Sequence, residues 1–222
     1  MKLILIFLFG IASSFTFAQK VQQKNDYLIS YSVKQDIGAL FGYKHRSGKI
    51  AIEAQFSSIN TDTLYNMGIV LKDWQWVGID IKEKVILIPF IYDNGPDYVE
   101  EGLFRFVENV KIGFADLDGN KIIPAQYSFA TFFKEGLADY YIGGDRIYEN
   151  GKSRKQNSAD GTLSEGDVHW TWGGNITENG YLNQFGQRFK EVGEFKNGRR
   201  EALTVDGNKV WLDKAGKIIK RQ

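Results

Sequence analysis

The 222-residue chain has no cysteine, three prolines and two histidines. Without cysteine there is no thiolate nucleophile, no soft metal ligand and no disulfide. His45 and His169 stand alone, neither with a second histidine at the spacing a zinc site prefers. A Gly-x-Ser-x-Gly elbow, a P-loop and a dinucleotide fingerprint are all missing. After the first residues no apolar run approaches the roughly 20 residues a membrane helix needs. Charge of one sign is missing too: 28 Lys and Arg face 27 Asp and Glu. The basic residues are spread along the chain, so no concentrated face for nucleic acid is expected, and Lys152, Arg154 and Lys155 read as a solvated loop.

The N-terminus carries a positive start at Lys2 and a short apolar core, Leu3 to Phe9 with Ile11. Small residues at Thr16 and Ala18 then precede Gln19. This is the pattern of a secretory signal covering residues 1–18, cleaved after Ala18. Its removal takes away one lysine and leaves 27 charges of each sign. The expected product is secreted or periplasmic and is not inserted in a membrane. Residues 19–26 are polar and read as disordered. Residues 27–222 hold 14% aromatics overall, enough to hold a core without disulfides.

The rest of the chain is organised around Lys111–Ala138, KIGFADLDGNKIIPAQYSFATFFKEGLA. Gly113 sits beside Phe114, Gly119 follows six residues later in a tight turn, Ile122 and Ile123 lead into Pro124, Tyr127 follows, and Glu135-Gly136-Leu137 closes the unit. Worn copies lie on both sides. Leading glycines are read at Gly42, Gly78, Gly113 and Gly180, with Val210 in the same role. Turn glycines fall at Gly48, Gly119, Gly186 and Gly216, and prolines at Pro89 and Pro124. Closing glycines fall at Gly68, Gly102, Gly136, Gly166 and Gly198. Both the leading and the closing series step by 30 to 36 residues once the gap from 113 to 180 is shared between two units. Self-similarity at that period marks a repeat architecture.

Each unit reads as β structure. Aromatic and β-branched residues alternate, and Ser-Gly, Asp-Gly and Asn-Gly between apolar runs are hairpin signals. A hairpin is expected at Ile112–Asp116 and Lys121–Ile123, with Pro124 ending its second strand and a further strand at Leu137–Ile142. The leading glycine is read either as a bare patch under a neighbouring ring or as a β-bulge. One hairpin and a short strand cannot bury an apolar face alone, so stacking on the next unit is required. The expected fold is all-β, a tandem repeat of antiparallel hairpin or meander units forming an open, solenoid-like sheet. The alternative is a closed β-propeller, whose blades want four strands. Five to six units are expected. The fourth is degenerate, with its turn at Asn150-Gly151 and its closing step at Glu165-Gly166.

These motifs resemble the WG-repeat family of bacterial β-rich repeats. Gly113-Phe114-Ala115-Asp116, Asp118-Gly119, Ile123-Pro124, Tyr127 and Glu135-Gly136-Leu137-Ala138 carry the likeness, and Val210 to Lys217 repeats its leading half. The tryptophan that names the family is replaced by Phe41, Val77, Ile112 or Asn179. The resemblance implies a β repeat with an interaction role and no general enzymatic activity.

For function, two tryptophan pairs stand out. Trp74-Gln75-Trp76 and Trp170-Thr171-Trp172 each place two indoles on one face of a strand, for packing between units or for binding. Trp170 and Trp172, next to His169, follow Gly143 to Gly166, where the repeat is most disturbed. No metal site is expected, because Asp93–Asp97 and Asp116–Asn120 are explained by turn chemistry and lack the oxygens calcium needs. No cofactor is implied. The expected function is a secreted, non-catalytic binding or scaffold module with a protein partner. The alternative is a carbohydrate-binding or carbohydrate-active protein that uses exposed tryptophans.

Overall fold

A computed structural model describes residues 27–92, 94–148 and 170–221. The signal segment with its cleavage site, His169, and the Asn150-Gly151 and Glu165-Gly166 steps lie outside the described residues. Every regular element is a β-strand paired antiparallel, and among the described residues no helix is long and apolar enough to cross a membrane.

Among the described residues the strands fall into five units. The first holds β1 (Leu28–Lys34), β2 (Ala39–His45), β3 (Ile50–Phe56), β4 (Ser58–Ile59) and β5 (Thr63–Leu64). The second holds β6 (Met67–Lys72), β7 (Gln75–Asp80), β8 (Val85–Pro89), β9 (Ile91–Tyr92) and β10 (Gly95–Pro96). The third is β11 (Leu103–Glu108), β12 (Lys111–Asp116), β13 (Lys121–Tyr127) and β14 (Phe129–Ala130). The fourth is β15 (Leu137–Tyr148), β16 (Trp170–Asn183) and β17 (Arg188–Val192). The fifth is β18 (Arg200–Thr204), β19 (Lys209–Leu212) and β20 (Ile218–Arg221). In each unit the first strand pairs with the second and the second with the third.

The turn between second and third strands follows from its sequence. Asp116 Oδ1 accepts the N–H groups of Asp118 (3.0 Å) and Asn120 (2.9 Å), and Gly119 takes the left-handed conformation at φ +83°. Asp80, Asn183 and Asp213 accept N–H groups in the same way. The closing Glu-Gly steps are two-residue turns with both residues left-handed: Glu101-Gly102 and Glu135-Gly136, with Asn197-Gly198 alike. These primed turns match the twist of the strands they join.

The third strand is bent. β13 pairs with β12 up to Tyr127, the chain turns at Ser128, and β14 then pairs with β15 of the next unit. β3 and β4 repeat this around Ser57, handing the first unit on to β6. Each core cluster accordingly draws on two successive units. Tyr43, Ile52 and Phe56 pack with Val70, Val77 and Ile79; Met67 and Leu87 with Phe104 and Phe106; Phe114, Ile123 and Tyr127 with Tyr140 and Leu182; Phe189 with Ala202, Val210 and Leu212. A unit hides its apolar face against its neighbour, as the repeat requires. The sheets are open, in orders β3-β2-β1-β5, β13-β12-β11-β8-β7-β6-β4 and β14 through β20, with a small β10-β9 pair. The open form is observed, not the propeller.

Register corrects several sequence expectations. Gly42 and Gly113 lie opposite a bulge in the third strand: Phe41 pairs with Phe56 but Tyr43 with Ile52, and Ile112 with Tyr127 but Phe114 with Ile123. A Cβ on Gly42 would stand 2.5 Å from the Ile52 carbonyl oxygen, and on Gly113 2.6 Å from that of Ile123, so backbone crowding excludes any side chain. The bulge reading therefore holds, with the Phe106 ring also close at Gly113. Pro124 sits inside β13 instead of ending it, because the bulge frees its nitrogen from the ladder. Gly78 is one residue out of phase. Gly78 pairs with Leu87 as Phe114 pairs with Ile123, so Val77 holds the leading position and Ile88, not Pro89, stands for Pro124. Gly68 is likewise not a closing glycine: it lies within β6, paired with Ile79 as Phe104 pairs with Ala115. Among the described residues β15 and β16 pair directly with each other, from Leu137↔Asn183 to Tyr148↔Trp170.

Candidate functional site

The fourth unit departs from the repeat by lengthening one hairpin. Its first two strands run 12 and 14 residues, against six for their counterparts β11 and β12. Beyond Ile142 the pair extends past the sheet, with register shifts on either side of Gly143. Gly144 is left-handed at φ +79°, and a Cβ there would lie 2.8 Å from the Gly173 carbonyl oxygen, so the two strands close only over glycine. Ser128 ties the extension to the third unit: its Oγ accepts the Gly143 N–H (3.0 Å) and the Lys111 ammonium (2.9 Å).

The extension gathers four half-buried rings. Trp172 stacks on Phe129 at 5.0 Å between centroids with 17° between planes, and Trp170 meets Phe129 edge-on at 5.6 Å. Tyr141 lies 6.1 Å from Phe129 and 6.4 Å from Trp172. The Arg146 guanidinium covers the Trp170 ring at 4.7 Å, and Trp172 Nε1 donates to the Gly143 carbonyl at 3.0 Å. Such an arrangement offers ring edges and a cation; the Trp172 face turned to Phe129 and the Trp170 face under Arg146 are already in use. At its base, Tyr140 Oη and Arg188 both donate to Glu178 Oε1, at 2.6 and 2.7 Å. Burial first, then this hydrogen bond to Glu178, pushes the Tyr140 phenol above its usual range.

Trp170 and Trp172 are brought together as their spacing predicted. Trp74 and Trp76 are not a pair: Trp74 is 91% exposed in a two-residue turn at φ +63°, while Trp76 is half-buried against the second-to-third-unit core. Sequence reasoning missed Phe129, Tyr141 and Arg146. The available signal was the Gly143-Gly144 and Gly173-Gly174 pairs, which mark two facing strands of one hairpin. Among the described residues no cluster of three or more His, Asp or Glu is placed to hold a metal.

Fold and register define an all-β protein built of tandem antiparallel units. Residues 112–144 match the family model for the WG containing repeat, a stretch that spans β12, β13, β14 and the start of β15. No curated protein matches the chain. Among solved structures, the crystal structure of the computationally designed Ika8 protein aligns over 83% of this chain and 68% of its own at 9% identity. Its TM-score of 0.21 is too low to carry any argument.

Proposed function

We propose that this chain is an exported, non-catalytic WG-repeat binding module that holds a protein partner at the β15–β16 extension. The observation that carries this reading is the extension itself, which interrupts the repeat and places Trp170, Trp172, Tyr141 and Arg146 together. Tryptophan, tyrosine and arginine are the residues that dominate protein interface energies. A glycan platform needs open ring faces, and here Trp172 spends one on Phe129 while Arg146 covers one face of Trp170. Export rests on the N-terminal signal pattern.

The test compares the mature chain with its Trp170→Ala/Trp172→Ala double variant, each immobilised and exposed to an envelope extract of the producing cell. A protein retained by the first and lost from the second is the expected result. Identical retention by both, or saturable quenching of indole fluorescence by members of a glycan panel, would overturn it.

A further inference from the structure

Among the described residues two arginines are buried, and they are partnered differently. Arg105, 3% exposed, makes two hydrogen bonds of its own side chain to Asp97, one of them 2.8 Å from Nε, and a third to the Ala130 carbonyl. Arg200 is nearly as deep, at 8% exposed. One terminal nitrogen donates to the Glu135 carbonyl at 2.8 Å, but its Nε is buried without a partner, and among the described residues no carboxylate pairs with it. A buried cation without a counter-charge is costly. Register makes the placement sharper: Arg200 pairs with Leu212 as Phe104 pairs with Ala115, so an inward position that is apolar in the third unit is charged in the fifth.

Beside Arg200 lies a cleft of about 410 Å³, lined in part by Phe132, Asp139, Tyr181, Val192 and Gly193. Gly193 explains the room. In three earlier units a side-chain oxygen accepts the N–H of the residue eight positions on: Thr61 from Ile69, Asp97 from Arg105, Thr131 from Asp139. Eight residues before Glu201 stands Gly193, whose N–H donates to the Glu201 carbonyl (2.9 Å) as that of Thr131 donates to the Asp139 carbonyl (3.0 Å), but which has no side chain to accept the Glu201 N–H. A Cβ there would meet nothing closer than 3.6 Å, so crowding does not impose the glycine.

We propose that this cleft binds a carboxylate carried on an apolar body, with the Arg200 guanidinium taking the carboxylate and Phe132, Tyr181 and Val192 the apolar part. The site is independent of the aromatic extension. Lys134 and Arg200 offset Glu135 and Asp139 in the lining, and burial raises the pKa of the Asp139 carboxyl.

Benzoate and its neutral counterpart benzamide test the site, read by the NMR signal of the Arg200 Nε–H. Benzoate should shift that signal saturably and benzamide should not. Arg200→Met, a residue type suited to the apolar position, should fold and weaken benzoate binding at least about tenfold. Gly193→Thr, which refills the cleft with the side chain of the earlier units, should weaken it similarly while leaving Arg200 in place. Absence of a saturable shift in the parent, or equal binding by both variants, overturns the proposal. A tripeptide ending in phenylalanine, compared with its C-terminal amide, then separates the two sources of such a carboxylate. Tighter binding than benzoate that is lost in the amide assigns a peptide terminus, and weaker binding assigns a free small acid.

Discussion

The first and third units differ from the second at a single leading position, and the sheets differ with it. Where that position is Gly42 or Gly113, the third strand arches over it and keeps to its own unit as far as Phe56 or Tyr127. Only beyond the bend does it reach the next unit. Where the position is Val77, β8 pairs with β7 only at Gly78 and Ile79, then crosses to β11 through Phe106↔Pro89 and Val107↔Ile88. The three main strands of the second and third units thus share one sheet, whereas those of the first stand in another and reach it only through β4. The fourth unit shows that glycine permits the arch without compelling it: β17 pairs with β16 at Tyr181 and Leu182, then passes to β18 although Gly180 leads. The backbone fit at one residue sets whether the third strand can stay with its own unit up to the bend; the ladder to the next unit then begins before the bend, as at β8–β11, or after it, as at β4–β6 and β14–β15.

The crossing in the second unit is closed by the Asp97–Arg105 pair, with the guanidinium 4.4 Å from the Phe90 ring. Removing one partner leaves the other charged and buried, so Asp97→Ala should cost about 3–5 kcal/mol in urea unfolding. A cost below about 1 kcal/mol would mean that water reaches Arg105 and that the crossing does not depend on the pair.

Next comes the contrast of the glycines themselves. Gly113→Ala places a methyl against the backbone of Ile123 and Ala125, which cannot give way without opening the bulge; about 3 kcal/mol is expected. Gly78→Ala meets the Leu87 side chain and the Met67 sulfur, which can rotate, and should cost about 1 kcal/mol. Equal costs would return Gly78 to the leading position and end the phase argument.

That phase could not be seen in the sequence. Gly78 and Pro89 keep the spacing of Gly113 and Pro124, so the copies align by eye; only the turn begun by Asp80, with Glu83 left-handed in place of glycine, shows the slip. The repeat, its open antiparallel form and most turn glycines were legible because each rests on local chemistry. The lengthened hairpin was not, because the period asked for a unit between Gly113 and Gly180, and the direct pairing of β15 with β16 joins residues far apart in the sequence. Trp74-Gln75-Trp76 read as strand because Asp73-Trp74 makes a primed turn without the glycine or asparagine that announces one. Of the site, the indoles were visible by spacing, while Phe129 and Arg146 reach them only through pairing across the bend and the hairpin.

A smaller effect tests the eight-residue caps that the two kinds of unit share. Thr61→Val and Thr131→Val each leave one N–H, of Ile69 or Asp139, without its side-chain acceptor. Each should lose about 1 kcal/mol in urea unfolding. A cost at Thr61 well above that at Thr131 would mean that the inter-unit junctions are not equivalent.

Alkali separates the units by their cores. Tyr43 of the first unit is held above its usual range by burial and then by the charge of Asp62, and burial raises Tyr127 of the third. The core cluster joining the second unit to the third contains no tyrosine. A folded-state pKa above the unfolded value of about 10 means that these phenols give full stability below that pH and lose it as the pH rises further. Tyr43→Phe keeps the ring but loses the 2.6 Å hydrogen bond to the Thr61 carbonyl, so at neutral pH it should be less stable by about 1 kcal/mol. Above pH 10 its urea midpoint should fall less steeply than that of the parent, so the two curves converge. Parallel curves would show that Tyr43 ionises without unfolding, and hence that the first unit opens to solvent around its own bulge.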